Sequence, residues 1–158
     1  MVPGSMAERL KNKPFGHNPE SNRCMKNEVP AEIKALIDTA LGGFNERNAT
    51  RYNSAFGGEV VIVDGIAPYR WTGPNAQGRW FDDGEKWAHD LGVADEKLEC
   101  DKIVHAAVVG PHAYVVLSAT LSFTLKGERG SRPGILTFTF VKQGDKWKIA
   151  TQAWGRLN

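Results

Sequence analysis

Asp64 closes a strongly apolar run, Val60-Val61-Ile62-Val63, and is followed at once by Gly65. A carboxylate at the end of such a strand is poorly solvated, which disfavours its charged form and raises its pKa towards the strength of a useful general base. The Asp-Gly pair is also a common hairpin turn in which the carboxylate merely caps the backbone, and the residues alone leave both readings open. His105, inside Ile103-Val104-His105-Ala106-Ala107, is the second acid-base candidate. Its imidazole points into the fold, or towards solvent or a partner, according to a strand parity that one bulge reverses. Tyr69 follows the Asp64 turn, and its hydroxyl, like that of Tyr114, can donate a hydrogen bond to a carbonyl. The expected site is therefore a mainly apolar pocket with Asp64 in its wall as base and His105 or Tyr69 beside it as partner acid. Trp71, Trp80, Trp87, Tyr114, Phe140 and Trp154 are the aromatic stock from which a ligand-facing lining would come, although aromatics at this density serve a core equally well. No glycine-rich phosphate loop, Ser-His-Asp order or metal-spaced His/Cys cluster is present, so neither a metal nor a cofactor is expected.

These groups need elements to hold them. From Pro30 onward, Ile33, Leu36, Ile37, Ala40, Leu41 and Phe44 recur as one apolar stripe of an amphipathic helix, which Gly42-Gly43 should end. Asn48 is a good cap for a short second helix carrying Tyr52, Ala55 and Phe56 on one face, with Gly57-Gly58 as its stop. Residues 59–63 and 68–72 read as strands about the Asp64-Gly65 turn. A third helix opens at Gly73-Pro74 and reaches about Leu91. Gly78 and Gly84 each cost it about 1 kcal/mol against alanine, so packing of Trp80 and Trp87 must hold it. Strands follow at 97–109, 113–126, 135–142 and 146–154, with GERGSRPG (127–134) as a loop. Helices first and strands afterwards mean an α+β fold with the helices gathered on one face of a mainly antiparallel sheet.

The chain has 158 residues, enough for one domain with a sizeable core, assigned to 29–158. Residues 1–28 read as a flexible arm, with 1–5 as appended cloning residues ahead of Met6. A net charge of +2 gives no case for nucleic acid or an anionic membrane surface, and no apolar run approaches the roughly 20 residues of a membrane helix. Two cysteines, Cys24 and Cys100, are too few for a disulfide scaffold, which fits a cytoplasmic setting. Long strands leave an outer sheet face that helices on the other side cannot cover, so a homodimer through that face is expected.

The order α-α-β-β-α-β-β-β-β resembles the nuclear transport factor 2-like, or SnoaL-like, superfamily. The resemblance rests on Phe44-Asn45, Tyr52, Phe56, Val60-Val61-Ile62-Val63-Asp64-Gly65, Tyr69-Arg70-Trp71-Thr72-Gly73-Pro74, Ala113-Tyr114-Val115-Val116 and Trp147-Lys148-Ile149-Ala150 with Trp154, and spans about residues 30–155. It implies a strongly curved sheet that forms, with the helices, a cone around an apolar pocket. The superfamily includes isomerases, dehydratases and cyclases alongside non-catalytic binding and dimerisation domains. Asp64 resembles in position the base aspartate of ketosteroid isomerases. Ala40 stands where that family has its oxyanion-hole tyrosine, and Thr137 where it has a protonated acid, so the resemblance does not extend to steroid isomerisation. Two functions follow: cofactor-free proton-transfer chemistry on a small apolar molecule, or a non-catalytic domain that binds such a ligand or only dimerises.

Overall fold

The structure, a computed structural model, describes residues 29–158; the expected arm at 1–28 lies outside them. Helix α1 (Ala31–Asn45) turns Ile33, Ile37 and Ala40 fully inward and Leu36, Leu41 and Phe44 partly so. Gly42 and Gly43 do not end it. A Cβ on Gly43 would lie 2.4 Å from the Tyr52 backbone nitrogen, so the glycine marks a close approach of two helices rather than a cap. Helix α2 (Ala49–Ser54) starts as expected under Asn48, whose Oδ1 accepts from the Arg51 N–H at 3.0 Å. Gly57 and Gly58, expected to stop that helix, instead belong to β1 (Phe56–Val63).

Strand β2 (Arg70–Gly73) and helix α3 (Ala76–Leu91) follow, with Gly92 in the left-handed conformation (φ 75°) closing the helix. The remainder is β3 (Val93–Val109), β4 (His112–Leu125), β5 (Glu128–Gln143) and β6 (Lys146–Arg156). The segment expected as a loop at 127–134 is mostly strand. Pro133 pairs with Thr120, and its carbonyl accepts from Leu157 N–H just past the end of β6. Its missing N–H thus falls on the side where the neighbouring strand runs out, which is why a proline is tolerated there.

The strands form one six-stranded sheet in the order β2-β1-β6-β5-β4-β3. It is mixed, because β1 runs parallel to β6 while every other pair is antiparallel. The strong curl expected of a cone is not seen. From His112–Val141 to Leu125–Glu128, β4 and β5 pair without a register break, and this long unbroken ladder holds its part of the sheet open. One face carries the core, with Val115, Leu117, Leu136, Phe138, Phe140 and Ile149 buried along with the α1 stripe. Among the described residues, no helix is long and apolar enough to cross a membrane.

Irregularities at the flanks decide what faces inward. On β6, Ile149 pairs with Phe140 and Thr151 with Thr139, so Ala150 is an extra residue. This bulge shifts the buried positions from Trp147 and Ile149 to Gln152. On β3, similar breaks lie between Ala94 and Lys97, Cys100 and Lys102, and Ile103 and His105.

Candidate active site

Between α3, the end of α1 and the far half of the sheet lies a cavity of about 290 Å³. Asp64 stands in its wall, one residue past the end of β1. It does not form a tight hairpin: the connection runs through residues 64–69, closed by Asp64 N–H donating to the Tyr69 carbonyl at 3.1 Å. The carboxylate is held at both oxygens. Oδ1 accepts from the Ile66 N–H at 3.3 Å and Oδ2 from the Trp80 indole N–H at 3.2 Å. Capping the turn and entering the wall, which the sequence offered as alternatives, are performed together by one side chain.

Burial pushes the Asp64 carboxyl above its ordinary value. Hydrogen bonds from Ile66, Trp80 and Gly65 oppose that rise, and the nearby Glu96 carboxylate adds to it. Trp80 is itself fixed between rings, with Phe44 at 6.0 Å and Tyr52 at 5.5 Å between centroids. The indole that anchors the carboxylate therefore cannot swing away with it.

Gln152 lies almost buried beside this carboxylate. Its position pairs with Ile62 across the parallel β1–β6 ladder, two residues before Asp64. The Tyr52 hydroxyl donates to Gln152 Oε1 at 3.0 Å. Burial holds the Tyr52 hydroxyl well above its ordinary value, so it stays neutral and keeps donating. With Oε1 engaged, the amide Nε2 is the end of Gln152 left for a ligand. Glu96 enters the wall from the first irregularity of β3, beside Asp95 with φ 53°, and is paired with Arg47 at 2.9 Å. The Arg47 guanidinium in turn covers the Phe44 ring at 4.8 Å. Asn45 ties this corner together, accepting from Leu98 N–H at 2.7 Å and donating to its carbonyl at 2.9 Å.

The expected site residues divide sharply. Asp64, Trp80, Trp87 and Trp154 line the cavity. Tyr69 does not: it is 60% exposed, with a left-handed backbone (φ 72°) that turns its side chain out. His105 does not either. It pairs with Val116 on the outer face, its ring 5.8 Å from that of Tyr114, and Tyr114 shares that face. Phe140 is buried in the core away from the cavity. Trp71 is buried beneath the hairpin, its indole donating to Asp83 Oδ2 at 2.7 Å. The partner acids expected for Asp64 are thus not in place, and Gln152 occupies the corresponding ground.

Sequence reasoning passed over Gln152, Glu96, Arg47, Arg132 and Arg156, all in the wall. The one signal for Gln152 was a long polar but uncharged side chain between Ile149 and Trp154 in a strand whose other long polar residues are charged. Arg132 was hidden by the reading of 127–134 as a loop.

Solved structures sharing this architecture carry very different names. A hexachlorocyclohexane dehydrochlorinase from Novosphingobium barchaimii superposes with a TM-score of 0.69 at 15% identity, over 81% of this chain and 86% of that one. A calcium/calmodulin-dependent protein kinase II association domain from Xanthomonas campestris gives 0.68 at 15% identity, over 87% and 94%. A nuclear transport factor 2-like protein from Salmonella enterica gives 0.65 at 13% identity, over 79% and 88%. Identities this low establish the fold alone. A comparison with curated proteins finds no match. The model of the SnoaL-like domain family matches residues 33–153, from the first buried residue of α1 to the strand that carries Gln152, and on that span the chain belongs to the SnoaL-like family.

Proposed function

We propose that the protein is a cofactor-free enzyme that moves a proton on a small apolar molecule held in this cavity, with Asp64 as the general base. One observation carries the reading: a partly desolvated carboxylate, pinned at both oxygens, in the wall of a mainly apolar cavity. A carboxylate offers about four lone-pair sites, so the hydrogen bonds from Ile66, Trp80 and Gly65 leave Asp64 one with which to accept a proton from carbon. A raised pKa makes it a stronger base than a surface aspartate. The Gln152 amide, oriented by Tyr52, supplies a hydrogen-bond donor for the negative charge that develops on the substrate. Proteins of this fold named dehydrochlorinases support an enzymatic use of it. The reaction class is isomerase, lyase or cyclase.

Deuterium exchange tests this directly. The protein, incubated in D2O with 2-tetralone, an apolar ketone with an acidic C–H, should speed deuterium uptake at that carbon above the Asp64→Asn variant. Equal exchange by the two proteins would overturn the catalytic reading. The second reading, a non-catalytic binding module, draws on the exclusion of Tyr69 and His105 from the cavity and on the fold's occurrence as an association domain. It requires ligand binding that survives Asp64→Asn with no exchange in either protein.

A further inference from the structure

Two guanidinium groups in the cavity wall take no part in holding Asp64. Arg156 of β6 pairs in register with Gly134 of β5, and Arg132 lies two residues from Gly134 on the same strand. Positions in this diagonal relation are within reach of long side chains. Gly134 has no side chain between them, and the Trp154 ring fills the space: a Cβ on Gly134 would lie 2.3 Å from that ring. The result is a flat indole platform flanked by two arginines.

Among the described residues, neither arginine is balanced by an Asp or Glu side chain, although Arg156 meets the oxygen of Asn158, the last residue. Among the described residues, Arg47 is paired with Glu96 and Arg51 with Glu46, but no ion pair involves Arg132 or Arg156. Arg132 rests over the Phe123 ring at 5.7 Å, and Arg156 Nε donates to the backbone oxygen of Asn158. Arg132 is half-buried against apolar surface, where an unbalanced charge is costly unless something pairs with it. The acidic groups of the wall lie on other elements: Asp64 after β1, Glu96 on β3, and the exposed Glu85 on α3. Negative charge therefore enters from those elements, while the β5–β6 end is positive.

We propose that the cavity takes its ligand as an anion: a flat, otherwise apolar carboxylic acid whose carboxylate is held by Arg132 and Arg156 and whose body lies on Trp154. Planar guanidinium groups suit a carboxylate because each can donate two parallel hydrogen bonds to it. The spacing also relates this subsite to the base. Asp64 lies one step beyond the Val63–Ala153 pair, level with Trp154, and Arg156 is two strand residues further, roughly 7 Å along the sheet. That is about the width of one six-membered ring. On the proton-transfer reading above, on which this last step rests, a ligand anchored at the arginines presents the far side of its ring to Asp64.

Binding of 2-naphthoate and of the neutral 2-naphthamide, followed by quenching of tryptophan fluorescence, tests the proposal. The acid should bind about tenfold more tightly than the amide or better, as expected for charge-assisted hydrogen bonds, and its advantage should shrink as salt is raised. Arg132→Gln and Arg156→Gln should each cut the acid-to-amide ratio, and the double variant should bring it close to one. The ratio within each variant is the readout, so a general loosening of the cavity does not imitate the effect. Arg156 is exposed, so its variant remains informative if Arg132→Gln folds poorly. Equal binding of acid and amide by the unmodified protein, a ratio unmoved in Arg156→Gln, or binding of neither ligand overturns the proposal. Asp64→Asn should keep the preference for the acid; if that holds while the unmodified protein exchanges no faster than Asp64→Asn, the catalytic reading falls and the anion subsite stands.

Discussion

At the scale of single residues, Asp64 makes the strongest commitment. Its carboxyl is raised by burial, so a carbon-13 NMR titration should place its midpoint above the roughly 3.9 of an unperturbed aspartate. A midpoint at or below that value would show a solvated turn residue. The stability consequence has a definite sign. The folded protein holds this proton more tightly than the unfolded chain, so the contribution to stability is fully present below the unfolded pKa. It is lost as pH rises through the folded one. Gln152 offers a second prediction at this scale. Gln152→Leu leaves the buried Tyr52 hydroxyl without its acceptor, which should cost about 1–3 kcal/mol in chemical denaturation and at the same time lower any Asp64-dependent exchange. Asp64 was legible in the sequence because an acid that closes an apolar strand is conspicuous. Gln152 was not, because its role depends on a hydroxyl 100 residues away.

Among the elements, glycine positions separate two uses of the same residue. Alanine within a helix is normally favoured over glycine by about 1 kcal/mol. Gly43→Ala should nevertheless lower the thermal midpoint, since its methyl would meet the Tyr52 backbone. Gly58→Ala, with nothing within 4 Å of the added carbon, should leave it nearly unchanged. Equal behaviour of the two variants would remove the close-approach account of α1 and α2. Similarly, Ile37→Ala should cost about 2–5 kcal/mol and Leu36→Ala less, because Ile37 is wholly enclosed and Leu36 only partly. The elements and their order were readable from periodicity, since apolar spacing reports burial directly. Facing was not. Ile103 points inward and His105 outward only after the breaks at Asp101 and Val104 are counted, and composition does not mark a bulge. Glu96 was missed because it stands in such a break, and Arg132 because its strand is rich in the residues of loops.

For the whole molecule, the open question on the outer sheet face is what covers it. Tyr114, Val116, Ile135, Thr137, Thr139, Val141 and Ala153 lie there, while the leucine and phenylalanine positions Leu117, Leu136, Phe138 and Phe140 all point inward. The face is thus more mixed than the expected run of Val, Leu, Ile and Phe, yet Tyr114 remains 43% exposed upon it. A homodimer through this face is our proposal, and sedimentation equilibrium should give twice the 17.4 kDa chain mass. Val116→Lys should return the protein to a monomer; a monomeric mass for the unmodified chain would remove the proposal. The extra residue at Ala150 carries a different implication. Gln152 and Trp154 reach the cavity with one more residue threaded into β6 than its neighbour requires. Deleting Ala150 would remove the bulge and leave Thr151 opposite Thr139 and Gln152 opposite Phe138, so the amide and the indole would still face the cavity. A lineage is therefore free to gain or lose this one residue without altering which side chains the chamber presents, and the length of the strand varies independently of the chemistry inside.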